Sequence, residues 1–124
     1  MKSAALRPPS SSASGSASVS SNDLTLLAEN IPNNTFGLFY FGDGQANAPL
    51  GNGTRCVSVN SATTRLGPPL NSGSSGVYTR ALDLPQPSPA GSTINPGSTW
   101  YFQAWFRDGS SSDLTDGLEI TFTP

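Results

Sequence analysis

The sequence predicts an all-β protein: an antiparallel two-sheet β-sandwich of seven to eight short strands, immunoglobulin-like or jelly-roll-like. Three observations predict it. Several short stretches alternate apolar and polar residues with period two, the pattern of a strand buried on one face. Thirteen glycines and eleven prolines, together with many Ser, Thr and Asn, fall between those stretches as turn chemistry. No stretch carries apolar residues at helical spacing. Stacking two sheets is the economical way to bury two sets of alternating faces, and a closed barrel is the alternative.

Residues 1–17 are rich in Ser, Ala, Gly and Pro, the composition of a flexible arm or linker, so the sandwich domain is expected over 18–124. The first strand falls at 23–29, where Leu24, Leu26 and Ala28 alternate with Thr25 and Glu29. Residues 35–41 are aromatic on both faces, which predicts a central strand, and Asp43-Gly44 closes it. A shorter strand is expected around Arg55–Val59, and a brief edge piece at Arg65-Leu66 before Pro68-Pro69. Residues 76–84 alternate again, with Tyr78, Arg80, Leu82 and Leu84 on one side. A proline-rich loop spans 85–96. Residues 98–108 form the clearest strand, with Trp100, Phe102, Ala104 and Phe106 against Tyr101, Gln103, Trp105 and Arg107. The last strand turns Leu118, Ile120 and Phe122 inward.

Composition narrows the function classes. The chain of 124 residues has no His, one Cys and 11% charged side chains, so the commonest general base and metal ligand is missing. With six basic residues, a net charge of −2 and no basic stripe, nucleic-acid binding has no support. No apolar run approaches the roughly 18 residues of a membrane span, so no membrane insertion is expected. Residues 1–7 begin like an export signal. Pro8-Pro9 and a serine tract then stand where its apolar stretch belongs, so the signal is expected to be removed or the chain to be part of a longer one.

Several segments, in order, carry a resemblance: 18–26, 36–42, 49–57, 65–66, 81–84, 96–108 and 113–124. Over about residues 12–124 the chain resembles the C-terminal β-rich domain of secreted, uncharacterised proteins from planctomycete- and myxobacterium-like bacteria. The resemblance implies a secreted or cell-surface module without established catalysis, and it transfers no functional residues. Such relatives tend to end Phe-Cys-Pro, with that cysteine the natural partner of the one matching Cys56; here the position is Thr123.

Cys56 has no His to act as its base, so it is expected to be a buried, poorly accessible thiol with no part in catalysis. Asp108, Asp113 and Asp116, with Glu119 nearby, offer loop carboxylates of the kind calcium takes, against plain turn formation and solvation. A glycosidase pair among them finds little room for a cleft in so small a domain. No other cofactor is expected. Tyr101 and Trp105 share a strand face and form the candidate ligand-binding platform, for stacking on sugar rings. The competing expectation is that both faces are covered, with a loop such as 85–96 over Trp105. Asn33-Asn34-Thr35 and Asn52-Gly53-Thr54 match the glycosylation acceptor pattern, which arises often by chance.

The leading functional expectation is a non-enzymatic extracellular structural or interaction module. Its partners are other protein subunits, including itself, through an N-terminal arm that pairs with a sheet edge and builds surface filaments. The alternative is a carbohydrate-binding module.

Overall fold

A computed structural model of the chain describes residues 9–58, 64–87 and 93–124, and these form ten strands and no helix. In chain order they are β1 (Ser10–Ser14), β2 (Thr25–Glu29), β3 (Phe36–Gly42), β4 (Gln45–Leu50) and β5 (Gly53–Val57). There follow β6 (Thr64–Asn71), β7 (Tyr78–Ala81), β8 (Thr99–Asp108), β9 (Ser111–Leu114) and β10 (Leu118–Thr121). The fold is the predicted antiparallel sandwich. One sheet is ordered β1-β2-β7 and the other β10-β8-β3-β6, with β9 also pairing with β8. A third, two-stranded unit is the hairpin β4-β5.

The core between the two sheets is built by the alternation visible in the sequence. Leu24, Leu26, Ala28, Tyr78 and Leu82 from one side meet Phe39, Phe41, Leu66, Phe102, Ala104 and Phe106 from the other. Leu84, Ile94 and Phe122 are buried in the same cluster, and Trp100, Leu118 and Ile120 pack against it. The Phe41 ring meets Trp100 edge-on at 5.2 Å and lies near-parallel to Phe102 at 5.5 Å, geometries that aromatic quadrupoles favour.

Three strands exceed expectation: β1, β4 and β9. Their sequences, SSSAS, QANAPL and SSDL, carry little apolar alternation, so period-two reasoning passes over them. Backbone pairing holds them instead. The strand expected at 55–59 is the second arm of a hairpin, and Val59 lies outside the described residues. The brief edge piece at 65–66 becomes an eight-residue strand that runs through Pro68-Pro69. Among the described residues its one strand neighbour is β3, and an edge strand tolerates residues with no N–H to donate. The register against β3 shifts between Gly37 and Phe39, which fits the interruption.

The boundary at residue 17 is also corrected. Ser10–Ser14 pair antiparallel with Thr25–Glu29, so the folded unit begins at least at Ser10; residues 1–8 lie outside the described ones. After β1 the chain turns at Gly15 (φ +88°), where an added Cβ would collide with the Asp23 carbonyl. The Ser16 backbone N–H and hydroxyl both donate to Asp23 Oδ1, at 3.0 and 2.9 Å. Ala17 and Val19 then bond to Thr123 across a parallel bridge.

Candidate functional site

The outer face of the five-stranded sheet is where the sequence placed its candidate residues, and the hairpin β4-β5 lies across it. Beneath the hairpin, Tyr40, Val57 and Leu114 form a second small cluster, with Leu38, Tyr101 and Trp105 packed against it. At its centre is Gln103, fully buried on β8. Its Oε1 accepts from the Tyr40 hydroxyl at 2.5 Å and from the Cys56 N–H at 2.9 Å. Its Nε2 donates to the Thr54 carbonyl at 2.9 Å and to the Thr115 carbonyl at 2.6 Å. A carboxamide accepts two hydrogen bonds and donates two in its plane, and all four are made. Because Cys56 N–H and Thr54 C=O belong to one edge of β5, the side chain acts as a short substitute strand that fastens the hairpin to the sheet. Burial holds the Tyr40 phenol in its protonated form and pushes its pKa well above the usual range, against the opposing pull of Arg55.

Gln103 was not singled out from the sequence. The signal was present, since one amide sits among five aromatic residues in Thr99–Asp108, and a polar group there is buried only if paired.

This arrangement divides the proposed platform. Tyr101 and Trp105 do share a face, but four residue steps along the strand set them roughly 13 Å apart, with Gln103 and the hairpin over it in between. Trp105 is half-buried beside Leu38, with the Arg107 guanidinium 5.9 Å from its ring centroid. Its cover comes from β9 and the hairpin's cluster. Ile94 of the 85–96 loop packs into the core on the other side of the sheet, and residues 88–92 of that loop lie outside the described ones. Tyr101 instead lines a cleft of about 300 Å³ with Gln45, Cys56, Gly117, Leu118 and Glu119.

Cys56 is half-buried and faces this cleft, which corrects the expectation of a buried thiol. It alternates with Val57, the strand's fully buried residue, and so takes the other side of β5. Its Sγ lies 3.6 Å from the Thr54 carbonyl. Gly117 packs so close that an added Cβ would stand 2.9 Å from Cys56 Cβ. From there the chain runs extended through β10 to residue 123, so a cysteine at that position would lie roughly 20 Å from Cys56, too far for a disulfide in this fold.

The three candidate calcium carboxylates do not converge. Asp108 Oδ2 accepts from Asn52 Nδ2 at 3.0 Å and ties the hairpin's turn to β8. Asp113 Oδ1 accepts from the Leu114 N–H at 2.8 Å, facing Gly53. Asp116 Oδ1 accepts from the Ser11 N–H at 2.7 Å and holds β1. Each serves a different backbone or amide group, and among the described residues no three candidate ligands gather. Asn52 of the second acceptor-like triplet is engaged with Asp108, and Asn34 of the first adopts a left-handed turn conformation (φ 53°).

Comparison of the chain with protein-family models, with curated proteins and with solved structures finds no match in any of the three.

Proposed function

We propose that this chain is a non-enzymatic extracellular structural or interaction module that self-associates by exchanging its first strand between copies. The observation that carries the reading is how β1 is held. Its residues are Ser and Ala only, so it contributes little apolar surface, and its attachment is made of hydrogen bonds. It pairs along Thr25–Glu29, and Ser11 adds a bond to Asp116 and one between its hydroxyl and that of Thr115 at 2.5 Å. Each such bond is worth a net of about 0.5–1.5 kcal/mol, which ordering five residues largely offsets at about 1–2 kcal/mol each. An identical strand from a neighbour makes the same bonds, so exchange costs little once Gly15 acts as the hinge. The resemblance to domains of secreted bacterial proteins supports a place outside the cell. Gln103, Asp108, Asp113 and Asp116 are committed to holding strands together, which supports a structural role for them over a chemical one.

Light scattering across a concentration series, on the whole chain and on a chain lacking residues 1–14, tests this reading. Assembly of the whole chain after brief exposure to mild denaturant, and loss of assembly in the shortened one, is the expected result. Equal particle size for both chains at every concentration overturns it.

A further inference from the structure

We propose that the cleft between the hairpin and β10 binds a single neutral sugar residue, the end of an oligosaccharide, with the sugar ring resting on Tyr101. The cleft adjoins Asp116, which holds β1, but strand exchange is read by assembly and this by ligand contact, so either proposal can fail alone.

The cleft is built by register. Tyr101 and Glu119 are direct partners across β8 and β10, so both side chains rise from the same face of the sheet. Gln45, at the start of β4, also lines it, and Gly117 presents backbone rather than a side chain to the wall. The half-buried phenol ring offers a flat apolar surface, while the Glu119 carboxylate and Gln45 amide are exposed. A carboxylate accepts from hydroxyls, and an amide both accepts and donates. A stacking ring flanked by those two groups suits a ligand with an apolar C–H face and a rim of vicinal hydroxyls. That is a pyranose.

Charge and size narrow the class. No Lys or Arg lines the cleft and Glu119 is in it, so phosphate or uronate groups meet repulsion. The chain's net charge of −2 acts in the same direction. A volume of about 300 Å³ lies at the lower end of small-molecule sites and holds one sugar residue rather than a chain. Cys56 in the wall supplies a reporter, since a bound ligand shields its thiol.

The test uses the whole chain and a panel of gluco-, xylo-, manno- and galacto-oligosaccharides, with a glucuronate-terminated member as the charged comparison. Amide chemical shifts are followed to about 10 mM, well beyond the millimolar affinity expected of one stacked sugar. At least one neutral member should shift the amides of Cys56, Tyr101 and Glu119 and slow the labelling of Cys56 by a thiol reagent. Tyr101→Ala should weaken binding at least about tenfold and Glu119→Gln several-fold, while Tyr101→Phe retains it. Phe36→Ala, which removes an aromatic ring exposed at 58% on β3, should leave binding unchanged. Glu119→Gln alters one exposed group and keeps the test decisive should Tyr101→Ala fail to fold. No shift with any neutral member, preference for the glucuronate, or binding that survives both cleft substitutions overturns the proposal.

Discussion

The two faces of the five-stranded sheet are covered by different physics. The inner face meets its partner sheet through apolar packing, Leu26, Phe39, Phe41, Phe102 and Phe106 among them, with the Tyr78 hydroxyl bonded to a backbone carbonyl. The outer face meets a two-stranded hairpin over three buried residues, and a single amide makes four hydrogen bonds across the gap. Apolar burial is non-directional and tolerates adjustment, whereas an amide at its full bonding capacity fixes the hairpin at one place and height. The inner layer therefore supplies stability, and the outer layer supplies position, including that of the cleft.

Truncation separates the two most sharply. Phe102→Ala removes a fully buried ring from the middle of the inner core and should cost about 3–5 kcal/mol, a large share of the stability of a domain this size. Denaturant titration should show one transition with a lowered midpoint. An unchanged midpoint would break the assignment of the inner face as the main source of stability.

Gln103→Leu tests the outer face. It keeps apolar volume but strands the Tyr40 hydroxyl, the Cys56 N–H and two carbonyls, each costly if left buried and unpaired. The hairpin can lift and let water reach them, so the loss should be about 2–3 kcal/mol rather than the sum. Hydrogen exchange should show Gly53–Val57 losing protection while Phe36–Gly42 keeps most of its own. Equal loss in both strands would mean that the two layers unfold as one unit.

Alkaline titration sharpens the contrast, because one buried phenol stands in each layer. Burial pushes Tyr78 from its usual value of 10.0 up to about 12, and its hydroxyl donates to the Thr35 carbonyl at 2.7 Å. Tyr40 is shifted in the same direction for the same reason. A phenol with a raised folded-state pKa keeps its proton longer in the folded chain than in the unfolded one. Its contribution is complete below about pH 10 and is lost as pH rises through about 12. Tyr78→Phe should flatten the alkaline fall in melting temperature. Tyr40→Phe should flatten it only to the extent that the hairpin and the inner core melt together.

How much was legible in the sequence follows the same division. Strands that bury one apolar face announce themselves by alternation, as Leu24-Leu26-Ala28 and Trp100-Phe102-Ala104-Phe106 do, and the inner core followed from them. Strands fastened by backbone and amide bonds leave no such trace. β4 pairs with β5 out of a Gln-Ala-Asn-Ala-Pro-Leu segment, and β1 is four serines and an alanine. The candidate site suffered most. Tyr101 and Trp105 were correctly placed on one face, but only the hairpin's position shows that Gln103 parts them. The carboxylates at 108, 113 and 116 are close in sequence and leave on different errands, because β9, which carries Asp113, folds back along β8.

The smallest effect is expected at β1, which belongs to neither kind of cover. Asp116→Ala removes the acceptor of the Ser11 N–H, and that exposed bond is worth about 0.5–1.5 kcal/mol. Because β1 is the edge of its sheet, the melting temperature should barely move. The amides of Ser10–Ser14 should instead lose much of their exchange protection, with those of β2's buried neighbours unaffected. Acid should act on the same element from the other end. Hydrogen bonds from Ser16 hold the Asp23 carboxyl below its usual 3.8, so its stabilising contribution is present above that value and is lost as pH falls through the lower folded-state pKa. Protonating Asp23 loosens the turn at Gly15-Ser16 that delivers the strand to its sheet. Protection of Ser10–Ser14 should accordingly fall at acid pH before that of the inner core does. A strand that keeps its protection in Asp116→Ala and at acid pH alike would be held by its pairing with β2 alone.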